Sequence, residues 1–223
     1  MGVPITDGPS STVDRSVAFE RTWLDDRSWL DVARGFVTEA DPLYDHLVAT
    51  VDFQESRVYR YDHWQSEPRL GAWMTPATAP HPVLAEVQRT LQHQYGVRFD
   101  GAGLAWYRDG RDSIAMHRDR DLKWLDETII ALLVLGDRRP FPIRPLAAKY
   151  RHEWVDDGGM DDLLPGHGDL LVMGGATQTG WQHGVPKVDA RVGGRISVQW
   201  RWTSRQGRME RGGSYRKPRH FDR

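Results

Sequence analysis

The hydrophobic and polar positions change their pattern near Gly101. Beyond it, apolar residues occur in short or alternating runs at 104–107, 128–135, 169–173 and 195–202, separated by clusters of Gly, Pro and Asp. Several short strands bounded by turn residues, without a long helix between them, favour an antiparallel sandwich or barrel. The pattern therefore predicts a mainly β fold for this part, to which residues 144–154 can add a hairpin.

The first hundred residues have a more mixed pattern. Apolar residues recur at every fourth position from Val83 to Tyr95, which predicts a one-faced helix ended by Gly96. A capping-box pattern predicts a short helix over 28–37, and an Asp-Pro pair predicts another over 41–51. Residues 58–74 are expected to be extended.

The last predicted strand alternates strictly between apolar and polar residues. Arg195 and Arg201 fall on its polar face, opposite a face that packs into a core. A polar row on a barrel strand lines a site if it points inward; the alternative is a half-exposed strand with its arginines in water. The two arginines are about 20 Å apart along a straight strand, so they cannot easily grip the same small carboxylate.

Composition suggests one domain with extensions. The chain has 223 residues, and we expect a disordered segment at 1–16, a helical and extended layer at 17–100, a β core at 101–203 and a basic tail at 204–223. It has no cysteine, which excludes disulfides and thiolate metal sites. No apolar run approaches the roughly 20 residues of a membrane span, and a soluble, cytoplasmic protein is expected.

The charge is distributed unevenly. Net charge is −1, yet the tail carries seven basic residues against two acidic ones. Such a tail can bind a polyanion or can be a solvated terminus. Phosphate contacts are also possible at a set of arginines in the predicted core, namely Arg118, Arg120, Arg138, Arg139 and Arg144.

His117 and Asp119 are two residues apart, and on a strand such residues point the same way. With a second histidine from a distant strand they form the two-histidine, one-carboxylate face that binds Fe(II) and leaves coordination positions open. A 2-oxoglutarate cosubstrate would need an arginine for its distal carboxylate. The sequence leaves the second histidine open among four candidates, which are His152, His167, His183 and His220.

An ordered set of motifs over 68–202 resembles the AlkB family of Fe(II)/2-oxoglutarate-dependent dioxygenases, particularly its nucleic-acid demethylases. The motifs are residues 68–73 (Pro-Arg-Leu-Gly-Ala-Trp), 106–110 (Trp-Tyr-Arg-Asp-Gly), 112–121 (Asp-Ser-Ile-Ala-Met-His-Arg-Asp-Arg-Asp), 167–173 (His-Gly-Asp-Leu-Leu-Val-Met), 179–186 (Thr-Gly-Trp-Gln-His-Gly-Val-Pro) and the Arg195–Arg201 pair. The resemblance implies a double-stranded β-helix, or jelly roll, with flanking helices.

The resemblance also implies site residues. It implies iron on His117, Asp119 and His183, and it implies 2-oxoglutarate on Tyr107 and Arg195, with Arg201 near the metal end. The family usually has an asparagine where this chain has Ala105, a departure that weakens one hydrogen bond to the cosubstrate without removing its binding.

Two further residues are implied on the substrate side. Asp121 falls where the family places an acid that touches the target base, and residues 68–73 resemble its nucleotide-recognition lid. Trp73 can stack on a positively charged methylated ring. The lid usually continues into a tyrosine, and here it reads Trp73-Met74.

The implied activity is oxidative demethylation of N-alkylated bases in DNA or RNA, as in alkylation-damage repair, releasing formaldehyde, succinate and CO₂. The expected partners are methylated nucleic acid and O₂, with no membrane and a monomeric state. Two alternatives remain: the same chemistry on an RNA, protein or small-molecule substrate, and a jelly-roll nucleic-acid-binding module without catalysis.

Overall fold

The computed structural model describes residues 10–60, 62–119, 122–123, 125, 127–148, 163–189 and 191–203. Their first half forms six strands and two α-helices. These are β1 (Thr12–Val13), β2 (Glu20–Trp23), β3 (Ser28–Ala33), β4 (Val37–Thr38), α1 (Ala40–Thr50), β5 (Gln54–Arg60), β6 (His63–Met74) and α2 (Pro82–Tyr95). A short 3₁₀ turn at Pro76–Thr78 precedes α2.

The second half of the described residues is mostly strand. Its elements are β7 (Ala102–Tyr107), β8 (Ile114–His117), β9 (Thr128–Gly136), β10 (Ile143–Pro145), β11 (Leu170–Gly175), α3 (Thr177–Gly180), β12 (Trp181–Val185) and β13 (Arg195–Thr203). A 3₁₀ turn at Leu146–Ala148 follows β10. None of the helices in the described residues combines the length and apolar character needed to cross a membrane.

The strands form two main sheets. The larger has eight strands in the order β2-β3-β11-β9-β13-β7-β6-β5, and the smaller has the order β10-β12-β8. All pairings are antiparallel. A buried cluster joins the inner face of the large sheet, through residues such as Leu132 and Met173, to Trp181 and Val185 of the small one. This is the jelly-roll architecture, and it confirms the predicted fold class.

The helices cover the outer face of the large sheet. Leu43 and Leu47 of α1 and Leu84 and Leu91 of α2 are fully buried in a second cluster with the outward residues of β9 and β13. A buried glutamine of α2 is part of this contact, because Gln88 accepts a hydrogen bond from the Trp200 indole at 3.1 Å. Its amide donates to the Phe99 carbonyl at 3.0 Å.

A buried carboxylate holds the turn that leads into β11. Asp169 accepts hydrogen bonds from the backbone N–H groups of Gly35 and Gly166 and from the Arg34 guanidinium. Burial alone would raise the pKa of Asp169, but these donors outweigh it and hold that pKa below its ordinary value. The turn is therefore held by a charge-assisted network.

Most local predictions are confirmed. Helix α2 has the predicted bounds, and Gly96 ends it in the left-handed conformation at φ 65°. Helix α1 begins at Ala40, one residue before the predicted start. Strands β7, β9, β11 and β13 correspond to the four predicted runs, and within the segment expected to be extended, 58–60 lie in β5 and 63–74 form β6.

The predicted helix at 28–37 is wrong. Residues Ser28–Ala33 form β3, which lies between β2 and β11 in the large sheet. The side chains of the predicted capping box do not cap a helix: Ser28 Oγ has no hydrogen-bond partner among the described residues, and Asp31 accepts from Arg21 and Tyr95. Pairing on both sides of the strand overrides the local helical signal.

The predicted segment boundaries differ from the structure in two places. The predicted disorder of 1–16 fails for Thr12–Val13, which pair with β4. The layer at 17–100 and the core at 101–203 share one sheet, because β6 pairs directly with β7. Residues 1–9, most of the predicted hairpin at 144–154 and the tail at 204–223 lie outside the described residues.

Candidate active site

Two histidines meet across the small sheet. His117 ends β8 and is the direct neighbour of His183 on β12, with the ring centroids 4.4 Å apart. Asp119 follows just beyond the end of β8, so the strand alternation used to predict its direction stops before it is reached. The potential ligand atoms of these three residues all lie within 4.8 Å of one another, close enough to hold one metal ion.

Asp119 is held from several sides. Its Oδ2 accepts a hydrogen bond from Arg201 Nε at 2.6 Å, and its Oδ1 lies 3.4 Å from His117 Nε2. Burial would raise the pKa of Asp119, but the Arg201 charge and the histidines outweigh it and hold that pKa far below its usual range. The group is therefore an ionised carboxylate, which is the form that binds metals.

The surroundings of the two imidazoles also favour the forms that can bind a metal. His117 Nδ1 lies 2.9 Å from the Ala115 carbonyl and can donate its hydrogen there, which leaves Nε2 free to coordinate. Phe141 stacks on the His183 ring with centroids 5.6 Å apart. Burial, with the nearby His117, lowers the pKa of His183 to about 3, so its ring is neutral near pH 7.

A second feature of the site is an unpaired buried cation. Arg195 is 0% exposed, and none of its three guanidinium nitrogens has a hydrogen-bond partner among the described residues. Its guanidinium carbon lies 5.6 Å from the centre of the Tyr107 ring, and Tyr107 is its neighbour on β7. Buried charges are normally paired, so this guanidinium suits an anionic ligand.

A row of polar side chains on β13 runs from Arg195 toward the three residues that can hold a metal ion. Ser197, Gln199 and Arg201 follow at alternate positions of β13, and Ala105 is the cross-strand neighbour of Ser197. Arg201 donates to Gln199 and to Asp119, so one end of the row meets the carboxylate. The two arginines of the predicted polar face thus have different surroundings, as their spacing requires.

Trp73 lies at the edge of this row and is 56% exposed. It is the cross-strand neighbour of Gly103, where an added Cβ would be 3.9 Å from the indole and 3.7 Å from Arg201. At Gly101 an added Cβ would be only 3.0 Å from the indole. Two glycines therefore let the ring lie against the sheet beside Arg201.

Sequence reasoning missed two buried residues around the site. These are Gln178, whose side-chain oxygen accepts the Asp119 N–H, and Phe141. The proposed phosphate contact of Arg139 is wrong, because this residue is 0% exposed and donates to backbone carbonyls of Asp109, Asp112 and Pro186. Asp121 lies outside the described residues.

Comparison with known proteins agrees with this arrangement. The family model of the 2OG-Fe(II) oxygenase superfamily matches residues 45–209, and the chain belongs to this superfamily. Within it the chain is AlkB-like. It is 31% identical over 184 residues to alpha-ketoglutarate-dependent dioxygenase alkB homolog 3 of Bos taurus, covering 75% of this chain and 63% of that protein. It is 27% identical over 187 residues to DNA oxidative demethylase ALKBH2 of Homo sapiens, covering 73% of this chain and 68% of that protein.

The match spans less than two thirds of the alkB homolog 3 proteins, at 63% for Bos taurus and 62% for Homo sapiens. Solved structures support the fold. OsALKBH1 aligns with a TM-score of 0.54 at 13% identity, over 82% of this chain and 99% of that one. A prolyl hydroxylase from Trichoplax adhaerens aligns with a TM-score of 0.54 at 10% identity, over 77% and 82%.

Fe(II) and 2-oxoglutarate are the cofactor and cosubstrate of this superfamily, and the residues present fit them. Two imidazoles and one carboxylate are the donor set of non-haem Fe(II) sites with open positions. The unpaired guanidinium of Arg195 suits a carboxylate, which arginine can bind through two parallel hydrogen bonds.

Proposed function

We propose that this chain removes N-methyl groups from bases of DNA or RNA by Fe(II)- and 2-oxoglutarate-dependent oxidation. Formaldehyde, succinate and CO₂ would be the products, and O₂ the oxidant. The observation that carries the proposal is the convergence of His117, Asp119 and His183, with the buried Arg195 guanidinium on the same strand as Arg201, which contacts Asp119. The relatives of the chain include DNA oxidative demethylases, which supports a nucleic-acid substrate.

In this proposal the three converging residues hold the metal, which when bound supplies the oxidation of the substrate methyl group. Arg201 keeps Asp119 ionised and fixes one of its oxygens, so the other can face the metal. Arg195 binds the distal carboxylate of 2-oxoglutarate, with Tyr107 beside it. The buried walls around Tyr107 exclude water from this pocket.

The substrate base is proposed to stack on Trp73. A base inside a duplex cannot reach a buried centre, so it must be flipped out or be presented on a single strand. Trp73 offers an exposed indole next to Arg201, and a methylated adenine or cytosine ring is cationic, which favours an aromatic partner. Asp121 is proposed as an acid that attracts the same ring.

Strand β6, which carries Trp73, forms a hairpin with β5 that has further exposed aromatic residues. Tyr59 and Trp64 are neighbours on its two strands, are 55% and 48% exposed, and meet edge to face at 5.5 Å. Exposed aromatic rings bind single-stranded nucleic acid by stacking without a strong sequence preference. A role in alkylation-damage repair, a monomeric state and a cytoplasmic location belong to the same proposal.

The test is coupled turnover. Protein loaded with Fe(II) is incubated with 2-oxoglutarate and an oligonucleotide that carries a ring-methylated adenine or cytosine, and the unmethylated oligonucleotide is the control. We expect formaldehyde and succinate in equal amounts with the methylated strand only. Succinate without formaldehyde across DNA and RNA strands would reject demethylation while leaving the oxygenase chemistry in place.

A further inference from the structure

Gln178 is a buried polar residue next to the metal-binding groups. It lies in α3, the single helical turn between β11 and β12, five residues before His183, and is 1% exposed. A long polar side chain is rarely buried so completely unless it is hydrogen-bonded. The hydrogen bonds of Gln178 therefore indicate its structural role.

The side chain of Gln178 binds the backbone of Asp119. Its Oε1 accepts the Asp119 N–H at 2.9 Å, and this bond is buried. The Asp119 carbonyl accepts from the N–H groups of Leu122 and Lys123 at 3.0 and 3.1 Å. The backbone N–H and carbonyl of Asp119 thus both have hydrogen-bond partners, although the residue lies beyond the end of β8 and outside the strand pairing.

This bond links two separate parts of the chain. Asp119 follows β8, whereas Gln178 precedes β12, which carries His183. Two further side-chain bonds join these segments: Arg118 donates to the Thr179 carbonyl at 2.9 Å, and the Thr179 hydroxyl donates to the Leu125 carbonyl at 3.2 Å. The turn of α3 therefore fixes Asp119 and the residues after it relative to β12, the strand that carries His183.

The amide nitrogen of Gln178 has no hydrogen-bond partner among the described residues. The bond to Asp119 is therefore the one that orients the side chain. An uncharged residue that keeps this acceptor should serve as well as glutamine, and an apolar residue of the same length should not.

We propose that Gln178 is a positioning residue for the metal carboxylate, acting through the backbone of Asp119. This inference rests on the metal site proposed above. Residues that orient metal ligands from outside the coordination shell typically change metal affinity by 10- to 100-fold. Gln178 would hold Asp119 at the distance from both histidines that one ion requires.

The test compares the affinity for Mn(II), which binds the same kind of ligands, in two variants of the full chain. Gln178→Met keeps the length and removes the acceptor, and we expect its dissociation constant to rise about tenfold or more. Gln178→Glu keeps an acceptor oxygen, and because burial favours the uncharged form of a carboxyl group, we expect its dissociation constant to remain within about threefold of that of the unaltered protein. Hydrogen exchange of the Asp119 N–H should become faster in the methionine variant only.

Gln88→Met is the matched control, because Gln88 is also a buried glutamine with hydrogen bonds but lies on the opposite face of the large sheet. It should lower the melting temperature and leave Mn(II) affinity unchanged. If Gln178→Met does not fold, Gln178→Asn, which shortens the side chain and keeps its polarity, should show the same weakening.

Three results would overturn the proposal, and they are distinguishable. If His117→Ala abolishes Mn(II) binding while the Gln178 variants bind as tightly as the unaltered protein, the positioning role is wrong and the metal site stands. If His117→Ala leaves binding unchanged, the metal site itself is wrong. Equal weakening by Gln88→Met would also reject a specific role for Gln178.

Discussion

Replacing Arg195 by methionine should separate the stability of the protein from its ability to bind 2-oxoglutarate. The guanidinium is fully buried and has no hydrogen-bond partner among the described residues. A methionine of similar length fills most of the same space without a charge. We therefore expect Arg195→Met to preserve or raise the stability of the protein without cosubstrate, and to abolish cosubstrate binding.

The magnitude follows from the surroundings of Arg195. Burial, only partly offset by Tyr107, lowers the pKa of Arg195 to about 10. Since each pH unit in a pKa corresponds to about 1.4 kcal/mol, the buried charge is disfavoured by about 3 kcal/mol relative to water. This is an upper limit for the gain in Arg195→Met, because imperfect packing of the new side chain subtracts from it.

The assay is urea unfolding with Mn(II) present, with and without 2-oxoglutarate. A ligand at 100 times its dissociation constant adds about 2.7 kcal/mol to the free energy of unfolding. The unaltered protein should gain this amount and Arg195→Met should gain nothing. Arg191→Met is the control, since Arg191 forms an exposed pair with Asp189, and it should change neither quantity appreciably.

Two results would refute this reasoning. A loss of more than about 2 kcal/mol in Arg195→Met without cosubstrate would mean that the guanidinium is already satisfied, since removing a paired buried charge is strongly destabilising. An undiminished gain from 2-oxoglutarate in the variant would mean that the carboxylate binds elsewhere.

Three further predictions concern the substrate surface and the frame of the site. Trp73→Ala should raise KM for the methylated oligonucleotide about 10- to 100-fold by loss of stacking. Trp23→Ala should not, because Trp23 is similarly exposed but lies on β2, the edge strand at the other end of the large sheet. Arg139→Met should lower the free energy of unfolding by about 3 kcal/mol in urea, because it leaves several buried carbonyls without donors. Asp169→Asn should lower the free energy of unfolding by about 2 kcal/mol at pH 7 and should make that free energy depend less on pH in the acidic range. Because the pKa of Asp169 is lower in the folded state, the unfolded chain takes up the proton first, and the unaltered protein should lose this stability as pH falls below about 4.

Each of these predictions has a clear contrary result. Equal effects of Trp73→Ala and Trp23→Ala on KM would remove the case for a stacking position near the metal. An Arg139→Met protein as stable as the original would mean that the carbonyls find other donors. Acid unfolding of Asp169→Asn that follows the same pH curve would show that Asp169 does not contribute to it.

The local pattern of the sequence was enough to predict the strands β7, β9, β11 and β13 and much of the inner row of side chains. Alternation along 195–202 put Arg195 and Arg201 on one face, and their spacing indicated different partners. The fourfold spacing and Gly96 likewise gave both ends of α2. These features depend on neighbours in the chain, which a sequence pattern reports directly.

Features that depend on distant partners could not be predicted in this way. Residues 28–33 have a helical capping signal but pair with strands on both sides. Gln178 and Arg139 are polar residues whose burial follows from contacts with segments 59 and 27–47 positions away. Their partners become visible only when the two sheets are assembled, and Arg139 therefore resembled a surface arginine in the sequence.

The most direct test of the central claim is a crystal structure of the protein with Mn(II) and 2-oxoglutarate, with the metal located by its anomalous scattering. One anomalous peak should lie among His117, Asp119 and His183, and a carboxylate should lie against the Arg195 guanidinium. A peak at other residues, or a 2-oxoglutarate molecule that leaves Arg195 unpaired, would contradict the account.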